Sequence, residues 1–169
     1  MNAPKRDRPH LPKGYIKTDP KGMLTWTTIE GLLLKAPYFW IATTNDNSRP
    51  HLIQTWAVWI DQELWFEGSD QTRWARNLAR EAGIAFGMQI GHKAAYGSGT
   101  AKIVRKVPLA LARKVAAQYG AKYGPTFKYR PKAEQYAKGH AFRLRPEKLI
   151  AFDIKTFNTS ATRFAFVAD

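Results

Sequence analysis

Three arginines, Arg73, Arg76 and Arg80, recur at three- and four-residue spacing just after Gly68-Ser69-Asp70. The segment from Gln71 to Ala82 reads as a helix with Ser69 or Asp70 as its cap. That spacing puts Trp74, Leu78 and Ala82 on one face and the arginines on another. A cation in the first turn of a helix meets the positive end of the dipole and a set of free amides. Arg73 at that end makes more sense if an external anion, such as a phosphate, binds there. The other reading is a solvated face on which Arg73 pairs with Asp70 or Glu67.

Other chemistries find less support. The four histidines, His10, His51, His92 and His140, show no metal-ligand spacing, and there is no cysteine to complete a site, form a disulfide or supply a thiolate. His51 stays a candidate only because it starts the strand His51–Ile60, which is apolar on both faces. Gly97-x-Gly99 lacks the rest of a dinucleotide fingerprint, no serine occupies a nucleophile elbow, and no carboxylate pair stands out for acid-base work. No catalytic side chain is therefore assigned; that absence does not argue against an enzyme, because a bound cofactor can carry the chemistry while the protein orients it and excludes water. Of the six tryptophans, Trp40 and Trp65 are expected in the core, whereas Trp56 and Trp74 are placed to touch a ligand.

The elements that must position these residues can be read around the arginine helix. Tyr38–Thr44 is aromatic and β-branched and ends in the turn formers Asn45 to Pro50. His51–Ile60 and Glu63–Glu67 are joined by Asp61-Gln62, which suits an antiparallel hairpin. The longer of these strands is apolar on both faces, so it needs two coverings: the core on one side, and a helix, a partner chain or a ligand on the other. Ile84–Ile90 and Ala94–Val104 follow, with glycines that mark a sharp bend or a close backbone approach. Five short strands interrupted by one helix predict a closed or half-open antiparallel barrel.

Taken in order, several short motifs carry a resemblance: Trp40-Ile41-Ala42-Thr43, Arg49-Pro50-His51, Leu64-Trp65-Phe66, Arg76-Asn77-Leu78-Ala79-Arg80, Gly99-Thr100-Ala101 and the closing Ala161-Thr162-Arg163-Phe164-Ala165-Phe166. The set resembles the pyridoxamine 5'-phosphate oxidase-like family of flavin- and deazaflavin-binding split barrels, over most of the chain from Trp26 onward. The resemblance implies a mainly β (α+β) fold: a six-stranded antiparallel split β-barrel with Greek-key topology and a few peripheral helices. It also implies a homodimer with two cofactor sites at the interface, so that a second subunit and a flat ring supply the long strand's outer covering.

By the same resemblance, the ring of FMN, or of the deazaflavin coenzyme F420, lies against Ile53, Gln54, Thr55 and Trp56. The phosphate lies at Gly68, Ser69, Thr72 and Arg73. The family commonly carries a lysine three residues before its Asn-Leu pair; Trp74 stands there, so Arg73 or Arg76 must replace that cation. Arg163 is placed to reach cofactor or substrate across the dimer. The implied activity is hydride or electron transfer to a small-molecule substrate. The Arg-x-x-Leu-Leu-Lys motif of the vitamin-processing enzyme is absent, so that specific activity is not expected. A non-enzymatic cofactor or haem binder is the alternative from another class.

The rest of the chain sets the boundaries. Its 169 residues suit one domain, 23–169, preceded by a flexible basic arm, 1–22, that holds four prolines. Thr25 or Thr27 caps a short helix ending before Pro37, and a second helix starts at Pro108 and stops at Gly120. Thr126 to Arg130 reads as an irregular connection, and two strands flank Pro146. No apolar run approaches membrane-spanning length and no secretory signal is expected; with the lack of cysteine this fits a cytoplasmic setting. The net charge is +14, with thirteen basic residues from Lys102 to Lys148 opposed only by Glu134 and Glu147. A nucleic-acid footprint ranks below a small anionic ligand, because no nucleic-acid-binding motif accompanies the charge.

Overall fold

The computed structural model describes residues 2–139 and 141–166. Nine strands form one antiparallel sheet: β1 (Lys5–Asp7), β2 (Phe39–Thr44), β3 (Pro50–Thr55), β4 (Ala57–Ile60), β5 (Glu63–Glu67), β6 (Gly83–Ile90), β7 (Lys93–Val104), β8 (Ala141–Asp153) and β9 (Thr162–Ala165). The main path runs β1-β9-β8-β7-β6-β2-β3, while β5 branches from β8 and carries β4. β3 and β4 are two halves of one extended run, separated only by Trp56. The first half pairs with β2 and the second with β5, as Ile53 opposite Ile41 and Ala57 opposite Phe66 show. Six strand positions thus encircle the core, and the ring is bridged at Trp56 by covalent chain rather than by a ladder. This is the expected mainly β split barrel.

Local chemistry explains most of the boundaries. Asp61 and Gln62 both adopt left-handed backbone, at φ 51° and 60°, which gives the two-residue hairpin turn whose twist matches β4 and β5. A Cβ at Gly97 would overlap the carbonyl oxygen of Lys148, and one at Gly99 that of Arg145. Both glycines mark close backbone approach, as the sequence suggested. The register between β7 and β8 also shifts there, from Ser98 opposite Lys148 to Gly99 opposite Pro146. The two strands expected around Pro146 are therefore one long strand with a bulge at Glu147.

Two apolar clusters lie on opposite sides of the β4-β5 layer. The barrel interior holds Phe39, Ile41, Trp59, Leu64, Phe66 and Phe86, plugged by α1 (Trp26–Lys35) through Ile29 and Leu33. Thr25 caps this helix by accepting from the Thr28 amide. The outer cluster joins Val58, Ile60 and Trp65 to α3 (Leu109–Phe127) and to α4 (Ala133–Ala137).

This outer packing corrects the central expectation about the long strand. The outer face of its second half is covered by the chain's own helices, not by a second subunit and a ring. α3 also runs through Gly120 instead of stopping there. Ala112, Val115, Tyr119 and Tyr123 fall on one buried stripe, and their burial outweighs the roughly 1 kcal/mol helical penalty of a glycine. Thr126 and Phe127 therefore close a helix, with Lys128 as its left-handed cap.

The stripe also repairs the break at Trp56. Tyr123 Oη accepts from the Ala57 amide at 3.0 Å and lies 3.0 Å from the Ala57 carbonyl and 2.9 Å from that of Pro37. Tyr119 Oη donates toward the carbonyls of Trp56 and Trp65, at 3.2 and 3.3 Å. Lys122 Nζ donates to the Ala57 carbonyl at 2.8 Å and stands 5.2 Å from the Phe39 ring centroid. Burial lowers its pKa from 10.5 to about 8.

Two consequences are testable. Tyr123→Phe leaves the buried Ala57 amide without a partner, and we expect a loss of about 1–3 kcal/mol in urea unfolding, with an unchanged m-value; wild-type stability in this variant refutes the repair role. For Lys122, the unfolded state binds more protons between pH 8 and 10.5, so this residue makes stability rise with pH across that window. The stability difference between wild type and Lys122→Met should grow in favour of wild type by at most about 3 kcal/mol from pH 8 to 10. A flat difference rejects the burial of a charged amine.

Candidate functional site

The turn after β5 lies beside the break in the long strand, because Ala57 opposite Phe66 is the last pair of their ladder and Thr55 and Gly68 lie beyond it. Within this turn the Ser69 carbonyl accepts from Thr72 N at 3.2 Å and from Thr72 Oγ1 at 2.8 Å. Thr72, rather than Ser69 or Asp70, is the cap of α2 (Arg73–Arg80), and its hydroxyl accepts from the Ala75 amide at 3.4 Å. Ser69 Oγ instead accepts from the Gln71 amide at 3.1 Å.

α2 is docked by its polar residues as well as by its apolar ones. Asn77, 5% exposed, donates to Thr43 Oγ1 at 3.0 Å and to Asn45 Oδ1 at 3.2 Å. Arg80 donates to the Thr44 carbonyl. The second half of the helix is thus fastened to the end of β2 and the turn that follows it. Arg73 and Arg76 lie on its exposed face, and among the described residues neither has an acidic partner within salt-bridge distance. The pairing of Arg73 with Asp70 or Glu67 is not formed.

Trp74 does not face a ligand. Its ring packs between Phe66 and Phe142, at centroid distances of 5.5 and 4.6 Å, and only 7% of the residue is exposed. A Cβ built on Gly68 would stand 2.6 Å from Trp74 Cζ2. Glycine at 68 therefore lets the indole close under the turn, where an outward-reaching lysine is expected from the family pattern.

The four strand residues assigned to the ring divide between faces, as the two-residue period requires. Ile53 packs against the barrel interior, whereas Gln54 is exposed on the outside. Thr55 Oγ1 donates to the Trp56 carbonyl at 3.2 Å. Trp56 is half-buried in an aromatic group supplied by α3 and the loop after it: it stacks on Tyr123 at 4.5 Å and 8°, and lies 4.7 Å from Phe127 and 5.6 Å from Tyr129. β3 pairs only with β2, so along its other edge the backbone donors and acceptors make no ladder.

Two features of this region had no clear signal in the sequence. One is the carboxylate–phenol pair behind Trp56, where Tyr129 Oη donates to Glu67 Oε1 at 2.6 Å. Burial first, and then the neighbouring carboxylate, push Tyr129 up to about 12. Burial raises Tyr119, Tyr123 and Tyr136 as well, so this shell is neutral. The other feature is an apolar outer surface. Gln54, Trp40, Gly87 and Tyr96 lie in one row across β3, β2, β6 and β7, and Leu52, Ala42, Ala85 and Ser98 form the next row. Trp40 is 48% exposed, Leu52 60% and Tyr96 48%, so Trp40 is not the core residue expected, whereas Trp65, at 1%, is.

The remaining candidates lie elsewhere. Arg163, on β9, is held by Asp7 of β1 through Nε–Oδ1 and Nη2–Oδ2 contacts of 2.7 and 2.5 Å, and that guanidinium keeps the Asp7 carboxyl below its ordinary range. It is thus committed within its own chain. Among the described residues no group of histidines and acids forms a metal site, and no helix is long and apolar enough to cross a membrane. His51 is half-buried and His92 exposed, while His140 lies outside the described residues.

No protein-family model matches the sequence, and no curated protein matches it. Solved structures do. A conserved hypothetical protein of Mycobacterium tuberculosis aligns with a TM-score of 0.67 and 24% identity over 83% of this chain and 91% of that one. HutZ, the heme storage protein of Vibrio cholerae, aligns at 0.56 and 22% over 72% and 89%. An F420 reductase aligns at 0.55 and 19% over 82% and 98%. At these identities the likeness concerns the fold, and it agrees with the ladder: the chain is a split β-barrel with peripheral helices.

Proposed function

We propose that the chain is a flavin-dependent oxidoreductase that works as a homodimer, with FMN along the free edge of β3 and its phosphate at the start of α2. The observation that carries the reading is that Arg73 and Arg76, on the exposed face of α2, have no acidic partner among the described residues; the unpaired edge of β3 supplies the other half of the proposed site. A flat ring with alternating donors and acceptors suits an open backbone edge, and a phosphate monoester suits the free amides and cations beside it. The isoalloxazine ring, when bound, supplies the hydride or electron chemistry. The chain's own residues bind, orient and exclude water: Arg73 and Arg76 hold the anionic end, Gln54 offers a polar side chain on the outer face, and the Trp56 aromatic group forms an apolar wall. Trp74 and Arg163 drop out of this assignment, because both are occupied within their own chain.

A second copy of the chain is the occupant proposed for the outer rows. Trp40, Leu52 and Tyr96 leave an apolar surface on β3, β2 and β7 that water solvates poorly, and a twofold pairing buries the same patch on both subunits. A deazaflavin is the second reading. The alignment with an F420 reductase supports it, as does the net charge of +14, which suits a longer anionic tail. The heme storage protein among the aligned structures makes haem the alternative for a binder without turnover.

The absorption spectrum of the purified protein separates flavin, deazaflavin and haem, and transfer of electrons to an added acceptor separates an enzyme from a binder. Arg73→Glu with Arg76→Glu should weaken FMN binding by about a hundredfold, two lost charge-assisted contacts, while sedimentation still reports a dimer. Unchanged affinity rejects the phosphate assignment. Leu52→Asp with Trp40→Asp should give a folded monomer by the same sedimentation measurement; a persistent dimer places the interface elsewhere.

A further inference from the structure

We propose a second binding site, for a small amphiphilic organic anion, in the cavity between the N-terminal arm and β9. The arm lies along the sheet edge and is hydrogen-bonded to it. β1 pairs with β9, and Lys17 N donates to the Asn158 carbonyl at 2.8 Å. All five N–H groups of Arg8 are used on carbonyl oxygens: those of Asp19, twice, and of Lys21, Thr159 and Ala161, at 2.6 to 2.9 Å. This one side chain ties both ends of the loop to the residues before β9. Between them remains a cavity of about 560 Å³, within the range that accepts one small molecule.

Its charge is one-sided. Arg6, Arg8, Lys13, Lys17 and Arg163 all line it, and Asp7 is the one acid on the lining. Arg163 takes that acid in a two-point contact. Among the described residues, none of the other four cations has a carboxylate within salt-bridge distance. Arg8 is satisfied in hydrogen bonds yet uncompensated in charge, because carbonyl dipoles accept its protons without supplying an anion. A guanidinium whose donors are spent contributes field rather than contacts, so Lys13 and Lys17, with mobile ammonium groups, are the residues that touch the acid group.

The walls between these cations include Leu11, Pro12, Ile16 and Met23. Apolar side chains set between cations in a half-open cleft favour a ligand with an apolar body and an acid group over a bare ion. The ligand class that follows is a phosphate monoester or carboxylate on a small hydrophobic group. The site is distinct from the proposed flavin surface. Gln54 lies on β3 within the barrel ring, whereas Arg163 and Asp7 lie on the β9–β1 pair, which joins the sheet through β8.

The full-length protein, titrated in a calorimeter at low salt with phenyl phosphate, benzoate, inorganic phosphate and benzyl alcohol, tests this. We expect phenyl phosphate or benzoate to bind with one site per chain, and the tighter of the two identifies the acid group. Benzyl alcohol should not bind, and inorganic phosphate should bind at least about tenfold more weakly. Lys13→Glu with Lys17→Glu, two exposed loop positions, should cost at least about tenfold in affinity, one decade for roughly 1.4 kcal/mol of lost charge attraction, with an unchanged unfolding temperature. Saturating FMN should leave the affinity for phenyl phosphate unaltered. Failure of both organic acids to bind, equal binding by the double variant, equal binding of benzyl alcohol, equal binding of inorganic phosphate, or displacement by FMN each overturns the proposal.

Discussion

The hydroxyl of Tyr123 at the Ala57 backbone is the contact on which this barrel depends. A strand that pairs with β2 over one half and β5 over the other must change partners, and no ladder can continue through the change. The backbone groups exposed by that break lie in the apolar interior, where an unpaired amide costs about 1–3 kcal/mol. α3 meets the need with phenol oxygens from consecutive turns, Tyr119 and Tyr123, placed as ladder partners would be. The same rings stack against Trp56 and bury the outer surface of β4 and β5. One helix thus seals the split and forms the second core, so the split and the helix must be regarded as a single device.

A comparable economy operates at the turn before α2. Gly68 has no side chain, Trp74 fills the space that one would take, and the indole joins the Phe66–Phe142 pair. Burying Trp74 in the first turn of this short helix fixes its rotation, and with Trp74, Ala75, Asn77 and Leu78 inward, Arg73 and Arg76 are left on the exposed face. The dipole disfavours cations in a first turn, and burial elsewhere on the helix offsets that penalty. The arginines are thereby held on the exposed face of α2, without a carboxylate in salt-bridge distance among the described residues.

Much of this was legible in the sequence, and the reasons for the misses are physical. Strand positions and the hairpin at Asp61-Gln62 followed from β-branched runs and turn formers, and the glycines of β7 marked the close approach to β8. The helix after Pro108 runs past Gly120 because the burial of Tyr119 and Tyr123, set by tertiary packing and not by local pattern, outweighs the glycine. The long strand showed that two coverings were needed but not which, since a helix from the same chain and a second subunit ask for the same apolar residues. Trp40 and Trp74 exchanged their expected places: in a strand, one step of register moves a side chain from the inside to the outside, and in a helix the face is set by its neighbours.

The sheet's two ends are finished in different ways, and this bears on where function can lie. At one end, β9 is covered by β1, a three-residue strand flanked by Pro4 and Pro9 and carrying Lys5 and Arg6. Short length, proline and positive charge all discourage further pairing. At the other end, β3 runs six residues with Leu52 exposed, no lysine, arginine or acid, and no strand beyond it among the described residues. A flat ligand along the backbone and a second subunit over the neighbouring apolar rows would complete the sheet in the two ways still open to it, one satisfying the unpaired amides and carbonyls, the other the exposed aromatic surface.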